Sequence, residues 1–265
     1  MSSGDTIERL SAICTEVGFE LGTRPSLVAR LRLLAEYTPT VDDSARMVAT
    51  ARTVFRYHEA TKPAEAFSEA ERRIVILGCM LSDIGKTGPV DADASGQRLI
   101  AEMFAVEGVR DETQTVRQFL TTYFPPDADE RVRRFAGLGL DPKMTMRQFW
   151  NLHSAWTLQI LEAGGMLPEV IAAAATHHLL DDVNPDAIVA ADRRFTRSFG
   201  DNEKFDRAEK LIIVLDKYDA LRRRGRRTHD QAIAWLRDRV DRAPRFGGDA
   251  EFFSLIADVD AALRP

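Results

Sequence analysis

Cysteine and histidine are both scarce in this chain, with two cysteines and five histidines in 265 residues. Cys14 and Cys79 form neither a disulfide framework nor a CxxC metal motif, and they fit a reducing, cytoplasmic setting. Long apolar runs are missing too. The longest, Ile74 to Leu81, falls far short of the ~20 residues that cross a bilayer, so no membrane association is expected. The segment Met1 to Leu10 carries Asp5, Glu8 and Arg9 and lacks the apolar core of a signal peptide. There is no excess of positive charge. A net charge of −5 and a pI near 5.6 argue against general nucleic-acid binding. Alternating strand patterns are scarce, and no internal repeat or low-complexity tail is evident.

What is present is helical periodicity. Ile7, Leu10, Ile13, Cys14 and Val17 form an i, i+3, i+4 stripe, as do Leu27, Leu31, Leu34 and Ala35. Met47, Ala51, Val54 and Phe55 continue the pattern between Asp43 and Tyr57. Ser68-Glu69-Ala70-Glu71 resembles a capping box ahead of the apolar run. Later stripes cover Phe149–Leu161, Pro168–His178, Phe205–Leu221, Asp230–Val240 and Ala250–Leu263. Two further helices are expected near Gly96–Val106 and Glu112–Tyr123, between a loop at Thr87–Ser95 and a turn at Pro125–Asp129. The expectation is an all-α protein of about ten helices. Residues 1–40 would pack as N-terminal helices on a domain at 41–265, which carries a helical insertion at about 88–137.

Three of the five histidines, His153, His177 and His178, fall in one short stretch, two of them adjacent. A lone histidine is usually a satisfied core or surface residue. Three on neighbouring helical segments suggest a metal site, because neutral imidazole is the commonest ligand for transition metals. A nucleotide-binding loop competes for attention. Ile74–Leu77 followed by Gly85-Lys86-Thr87 imitates the end of a Walker A motif, and Leu211–Asp216 imitates a Walker B strand. The first glycine such a loop needs is replaced by Met80, and the strand–helix alternation of an α/β domain is absent.

The ordered segments resemble the HD-domain superfamily of phosphohydrolases, and within it the HD-GYP branch. Leu81-Ser82-Asp83-Ile84-Gly85-Lys86 resembles that branch's "LHDIGK" segment. The stretch from Asp141-Pro142-Lys143-Met144-Thr145 to Leu161 is similar to its helix bearing a histidine, here His153. Leu167-Pro168-Glu169 to His177-His178 is similar to its helix ending in paired histidines. Leu211 to Leu221 is similar to its "AVADVYDAL" segment, which aligns a ligating aspartate with Asp216. The region around Arg245-Phe246-Gly247-Gly248-Asp249 resembles its closing helix.

The resemblance implies an HD-domain helical bundle whose members hydrolyse phosphoesters with metal assistance. It implies that Asp83, His153, His177 and His178 hold one divalent transition metal (Fe, Mn, Zn or Ni), with Asp216 and Asp43 as ligands of a weaker second one. Lys86 and an arginine, Arg224 or Arg226, would contact phosphate, and Asp83 and Lys86 would serve catalysis. The implied ligand is a small anionic phosphoester or nucleotide. A protein partner or a homodimer is a further expectation, and a non-hydrolytic ligand sensor or interaction module is the alternative function.

The departures are specific. The histidine of the family's His-Asp pair is Ser82, and its first histidine is Asp43, in Asp43-Ser44-Ala45-Arg46-Met47. The family's Gly-Tyr-Pro loop is replaced by Leu179-Leu180-Asp181-Asp182-Val183-Asn184-Pro185, which is shorter and has neither glycine nor tyrosine. That speaks against cyclic di-GMP as substrate. The only literal His-Asp dipeptide, His229-Asp230, follows Thr228, a predicted N-cap, and reads as surface capping. His58 reads as a helix-end residue.

Overall fold

The helix expected after the Ser68 capping box forms as α4 (Glu69–Leu81). Ser68 Oγ accepts from the Glu71 amide, and the Glu71 carboxylate accepts from the Ser68 amide, satisfying donors that a helix start otherwise leaves open. From Val75 to Leu81 every residue of α4 is buried, so this helix has no solvent face over its second half. It is the central element, packing against its neighbours on all sides.

The computed structural model describes residues 3–178, 180, 207–242 and 248–264. Among the described residues there are twelve α-helices and no strands, so the fold is all-α. Besides α4 they are α1 (Ser3–Glu16), α2 (Pro25–Tyr37), α3 (Thr40–Thr61), α5 (Ala94–Ala105), α6 (Val116–Tyr123), α7 (Ala128–Gly137), α8 (Met146–Ala163), α9 (Pro168–Ala175), α10 (Arg207–Arg223), α11 (His229–Arg242) and α12 (Ala250–Leu263). The two segments that imitated Walker strands are the helices α4 and α10. No described helix is long and apolar enough to cross a membrane.

Around α4 lie α1, α3, α9 and α10. A Cβ at Gly78 would stand 2.4 Å from Ile212 Cδ1 on α10 and 3.3 Å from Ala173 Cβ on α9. The approach depends on small residues: Ala172 to Ala175 of α9 are all buried. The N-terminal helices are built into this core. Arg30 of α2 is buried, and it donates to Thr87 Oγ1 (2.7 Å) and to the carbonyls of Gly88, Pro89 and Val90 at 2.9–3.2 Å. One guanidinium thus holds the loop that follows Lys86. Burial lowers its pKa to about 10, against the pull of Asp91, which leaves it a cation at neutral pH.

The segment at 88–137 contains α5, α6 and α7, with α5 packed on α2. Here the structure corrects the expectation that no internal repeat exists. Asp111–Leu120 (DETQTVRQFL) and Asp141–Trp150 (DPKMTMRQFW) share Asp, Thr, Arg, Gln and Phe at the same spacing. The two copies pair reciprocally. Val116 N–H donates to Met144 O and Met146 N–H to Gln114 O, both at 2.9 Å. Arg117 N–H donates to Pro142 O and Arg147 N–H to Glu112 O, both at 3.0 Å. Thr115 with Gln118, and Thr145 with Gln148, make matching capping boxes. Each copy therefore satisfies first-turn amides of the other's helix. At ten residues, the repeat is too short to show as a domain-scale period.

Two histidines are more deeply engaged than expected. His58 is buried, with Nε2 3.0 Å from Asp258 Oδ2, and Lys62 Nζ donates to Asp258 Oδ1 at 2.6 Å, fastening α12 to α3. His229 does follow a Thr228 cap, but it is no surface residue. Its Nδ1 lies 2.9 Å from Tyr218 Oη and its Nε2 2.9 Å from Asp260 Oδ1, joining α10, α11 and α12.

Both cysteines are buried free thiols, and burial raises the Cys14 pKa to about 12 and pushes Cys79 higher still. Only the thiolate reacts readily. Ellman's reagent at pH 8 should therefore label neither thiol in the native protein, and both should appear together across the denaturant unfolding transition.

Candidate metal centre

Asp83 and the three clustered histidines reach one point from three chain segments. Helix α4 ends at Leu81, and Asp83 begins the 3₁₀ turn Ile84–Thr87. That turn is pressed onto α8. A Cβ on Gly85 would lie 1.9 Å from His153 O and 2.6 Å from Thr157 N, both backbone atoms that cannot give way. Thr157 completes the contact. Its hydroxyl accepts from Gly85 N–H at 3.0 Å and donates to Ser82 O at 2.8 Å. Asp83 is thereby held against His153, one turn before Thr157 on the same face of α8.

His177 and His178 lie just beyond α9, in the turn that follows its last residue, Ala175, and not on the helix itself. The four residues form a group that could hold a metal ion. Each offers one ligand atom, and these atoms all lie within 4.8 Å of one another.

Three of the four atoms make a tight triangle. His153 Nε2 and His177 Nε2 are each 3.5 Å from Asp83 Oδ1, and 3.5 Å from one another. Backbone bonds orient both rings. His153 Nδ1 bonds Trp150 O, and His177 Nδ1 bonds Ala174 O at 2.6 Å. A carbonyl can only accept, so each Nδ1 carries the hydrogen and each Nε2 lone pair turns toward Asp83. Asp83 Oδ1 is itself buried and accepts no hydrogen bond. With both rings neutral, three acceptors face a common centre. In a tetrahedral arrangement, edges of this length correspond to metal–ligand bonds of about 2.1 Å, close to the usual metal–imidazole distance. The donor set, its orientation and its orphaned oxygen fit a divalent transition metal.

Charge is arranged to suit. Burial alone would raise the Asp83 carboxyl, but Lys86, His177 and His153 outweigh it and hold the pKa well below the usual range. Lys86 Nζ donates to Asp83 Oδ2 at 2.7 Å, leaving Oδ1 to the histidines. Burial, reinforced by neighbouring imidazoles, pushes His153 and His178 well below the ordinary histidine value, so both imidazoles are neutral at pH 7. Burial also works against charge on His177, yet the adjacent carboxylates of Asp83 and Asp216 raise it. Asp216, midway along α10, stands beside the group with Oδ2 3.6 Å from His178 Nδ1. Burial lifts it to about 6, aided by the Asp83 charge and opposed by His177, Lys86 and Arg224.

The remaining expected residues lie elsewhere. Asp43 does not join the group. Its Oδ1 pairs with Arg46 and its Oδ2 with Arg223, with Arg224 Nη2 3.7 Å away, so arginines occupy the oxygens that would have served a second metal. Ser82 is buried with its hydroxyl donating to Cys79 O at 3.3 Å. Arg226 is exposed, in the left-handed residue (φ 47°) by which the chain leaves α10. The segment replacing the Gly-Tyr-Pro loop, apart from Leu180, and Arg245–Gly247 lie outside the described residues. The insertion does reach the site, as the Phe104 ring of α5 meets the His153 ring edge-on at 5.8 Å.

Two contributors escaped the sequence reading. Gly85 was read only as part of a motif, and Thr157 was not singled out. The spacing of Thr157, four residues after His153, is the one signal that could have marked it.

No family model matches this chain, and neither a curated protein nor a solved structure matches it.

The Thr157 contact makes a clear prediction. Thr157→Val keeps the volume but leaves Ser82 O and Gly85 N–H unpaired in a buried place, at a cost of about 1–3 kcal/mol. Thr157→Ser should recover most of that loss in chemical denaturation. Gly85→Ala should be worse, roughly 3 kcal/mol or more, because the clash is with backbone. Equal stability of Gly85→Ala and wild type would contradict the packing described.

Proposed function

We propose that this protein is a metal-dependent phosphohydrolase of the HD-domain superfamily, similar to its HD-GYP branch, with a single well-held metal. One observation carries the reading: three mutually facing acceptors, Asp83 Oδ1, His153 Nε2 and His177 Nε2, are spaced 3.5 Å apart around an orphaned carboxylate oxygen. This is the ligand set that the resemblance implied, and the helical architecture is compatible with it. Asp83, His153, His177 and His178 would hold Fe, Mn, Zn or Ni. Such an ion supplies polarisation of a phosphoryl oxygen and a lower pKa for water.

The chain's own groups have defined tasks. Asp83 stays ionised and carries the negative charge of the ligand set. Lys86 holds Asp83 Oδ2 and offers positive charge at the edge of the group, where an anionic substrate gathers. Asp216, with its pKa lifted to about 6 and its carboxylate beside His178, is placed to take or give a proton near neutrality.

A second reading has its own support. Asp43 is bound up by arginines and Ser82 is turned back to its own helix, so neither is open to a second metal. A protein that binds a phosphorylated ligand without cleaving it fits that arrangement.

Elemental analysis after purification without chelators should find about one transition metal per chain, and Asp83→Ala or His153→Ala should abolish it. At a hundredfold excess over Kd, the metal should add about 2.7 kcal/mol of stability, reversed by EDTA. Fewer than about 0.3 metals per chain would sink the metal-site proposal. Activity is decided separately, with a panel of nucleotides, cyclic dinucleotides and simple phosphodiesters in Mn²⁺ or Fe²⁺. Turnover that falls at least ~100-fold in Asp83→Ala supports the hydrolase, and binding without turnover supports the sensor.

A further inference from the structure

Helix α5, in the segment inserted at 88–137, ends beside the metal group. Its residues Leu99, Ile100 and Met103 are buried. Ile100 seats the helix on the loop after Lys86, where a Cβ on Gly88 would stand 3.0 Å from Ile100 Cγ1. From α7, Arg131 Nη1 donates to Glu102 Oε2 at 2.5 Å. The last turn of α5 is therefore fixed in place, and Phe104 lies in that turn.

Phe104 is only half-buried. Its ring centroid is 4.9 Å from that of Phe149, with the planes inclined by 31°, and 5.8 Å from that of His153, with the planes at 75°. Phe149 is fully buried, so the apolar core ends at the Phe104 ring. His153 is the residue whose Nε2 stands 3.5 Å from both Asp83 Oδ1 and His177 Nε2. The metal group is not sealed, as the side chains of Lys86, Asp83 and His178 keep 12%, 14% and 22% exposure. Sites for small ligands combine aromatic and apolar walls with a few polar groups that fix orientation. Here the aromatic wall and the polar group are joined by one ring contact.

We propose that Phe104 is a specificity-determining residue, an aromatic wall that stacks on a flat ring, nucleobase or aryl, carried by the ligand next to its phosphate. The inference rests on the phosphoester reading and narrows it to phosphoesters with an aromatic ring. A saturated group gains less from the same wall, because it has no π face to set against the Phe104 ring. Stacking of a base on an aromatic side chain strengthens binding roughly five- to 150-fold.

Phosphonates test this without turnover, since their carbon–phosphorus bond resists hydrolysis. Phenyl-, cyclohexyl- and methylphosphonate share one anionic head and differ in the group beside it. In titration calorimetry with Mn²⁺, wild type should bind phenylphosphonate about tenfold more tightly than methylphosphonate, with cyclohexylphosphonate between them. Phe104→Ala and Phe104→Leu should erase the preference for phenyl over cyclohexyl, and Phe104→Tyr should keep it. Metal content should match wild type in all three variants. The proposal is overturned if wild type binds phenyl- and cyclohexylphosphonate equally, or if Phe104→Leu retains the preference. It is also overturned if metal is lost with the ring, which would make Phe104 a prop of the metal group. Methylphosphonate binding in those cases leaves the phosphoester reading standing, whereas a wild type that binds none of the three overturns both.

Discussion

The 3₁₀ turn Ile84–Thr87 and helix α8 approach until only a hydrogen atom fits at Gly85. Everything at the candidate centre depends on that contact. The Thr157 hydroxyl spans it with one bond in each direction, so the turn has no freedom to slide along the helix. Asp83 precedes the glycine by two residues and His153 precedes the threonine by four. Their 3.5 Å separation follows from the backbone contact rather than from any attraction between them. An aspartate and two imidazoles aimed at one spot would otherwise prefer to separate and be hydrated, because burying them without partners is costly. The packing of the surrounding helices opposes that preference, and a cation between the acceptors would relieve it.

Close backbone contact recurs one layer away. Gly78 and the buried alanines of α9 let α4, α9 and α10 meet with little side-chain volume between them. These helices lead to the three parts of the site: α4 to Asp83, α9 to the histidine pair, and α10 to Asp216. Small residues set the distances, and large ones such as Phe119, Phe135 and Phe149 fill the surrounding core.

Much of this was legible in the sequence wherever the information was local. The apolar stripes marked the helices, and Ser68 with Glu71 marked the start of α4. The histidines at 153, 177 and 178 suggested a metal site by residue type, and the family resemblance added Asp83 to them, before any geometry was known. What escaped depends on partners distant in the chain. Asp43 looked like a substitute metal ligand until Arg223, far along the sequence, was found on its oxygen. His58 and His229 looked like helix-end residues, because neither periodicity nor capping signals show that Asp258 and Asp260 return to meet them. Helix α9 was expected to continue through His178. It stops at Ala175, and the histidines gain from the turn the freedom to bend back toward Asp83.

The paired ten-residue repeats have a consequence for how the chain can be cut. The second copy begins α8, the helix that carries His153 and Thr157, and the first copy sits inside the 88–137 segment. Two opening amides of α8 find their acceptors at Glu112 and Gln114. That segment resembles an appendage in sequence, yet it closes the start of a core helix. Excising it as a module would strip α8 of those acceptors, so the two parts must be inherited, expressed and engineered as one folding unit.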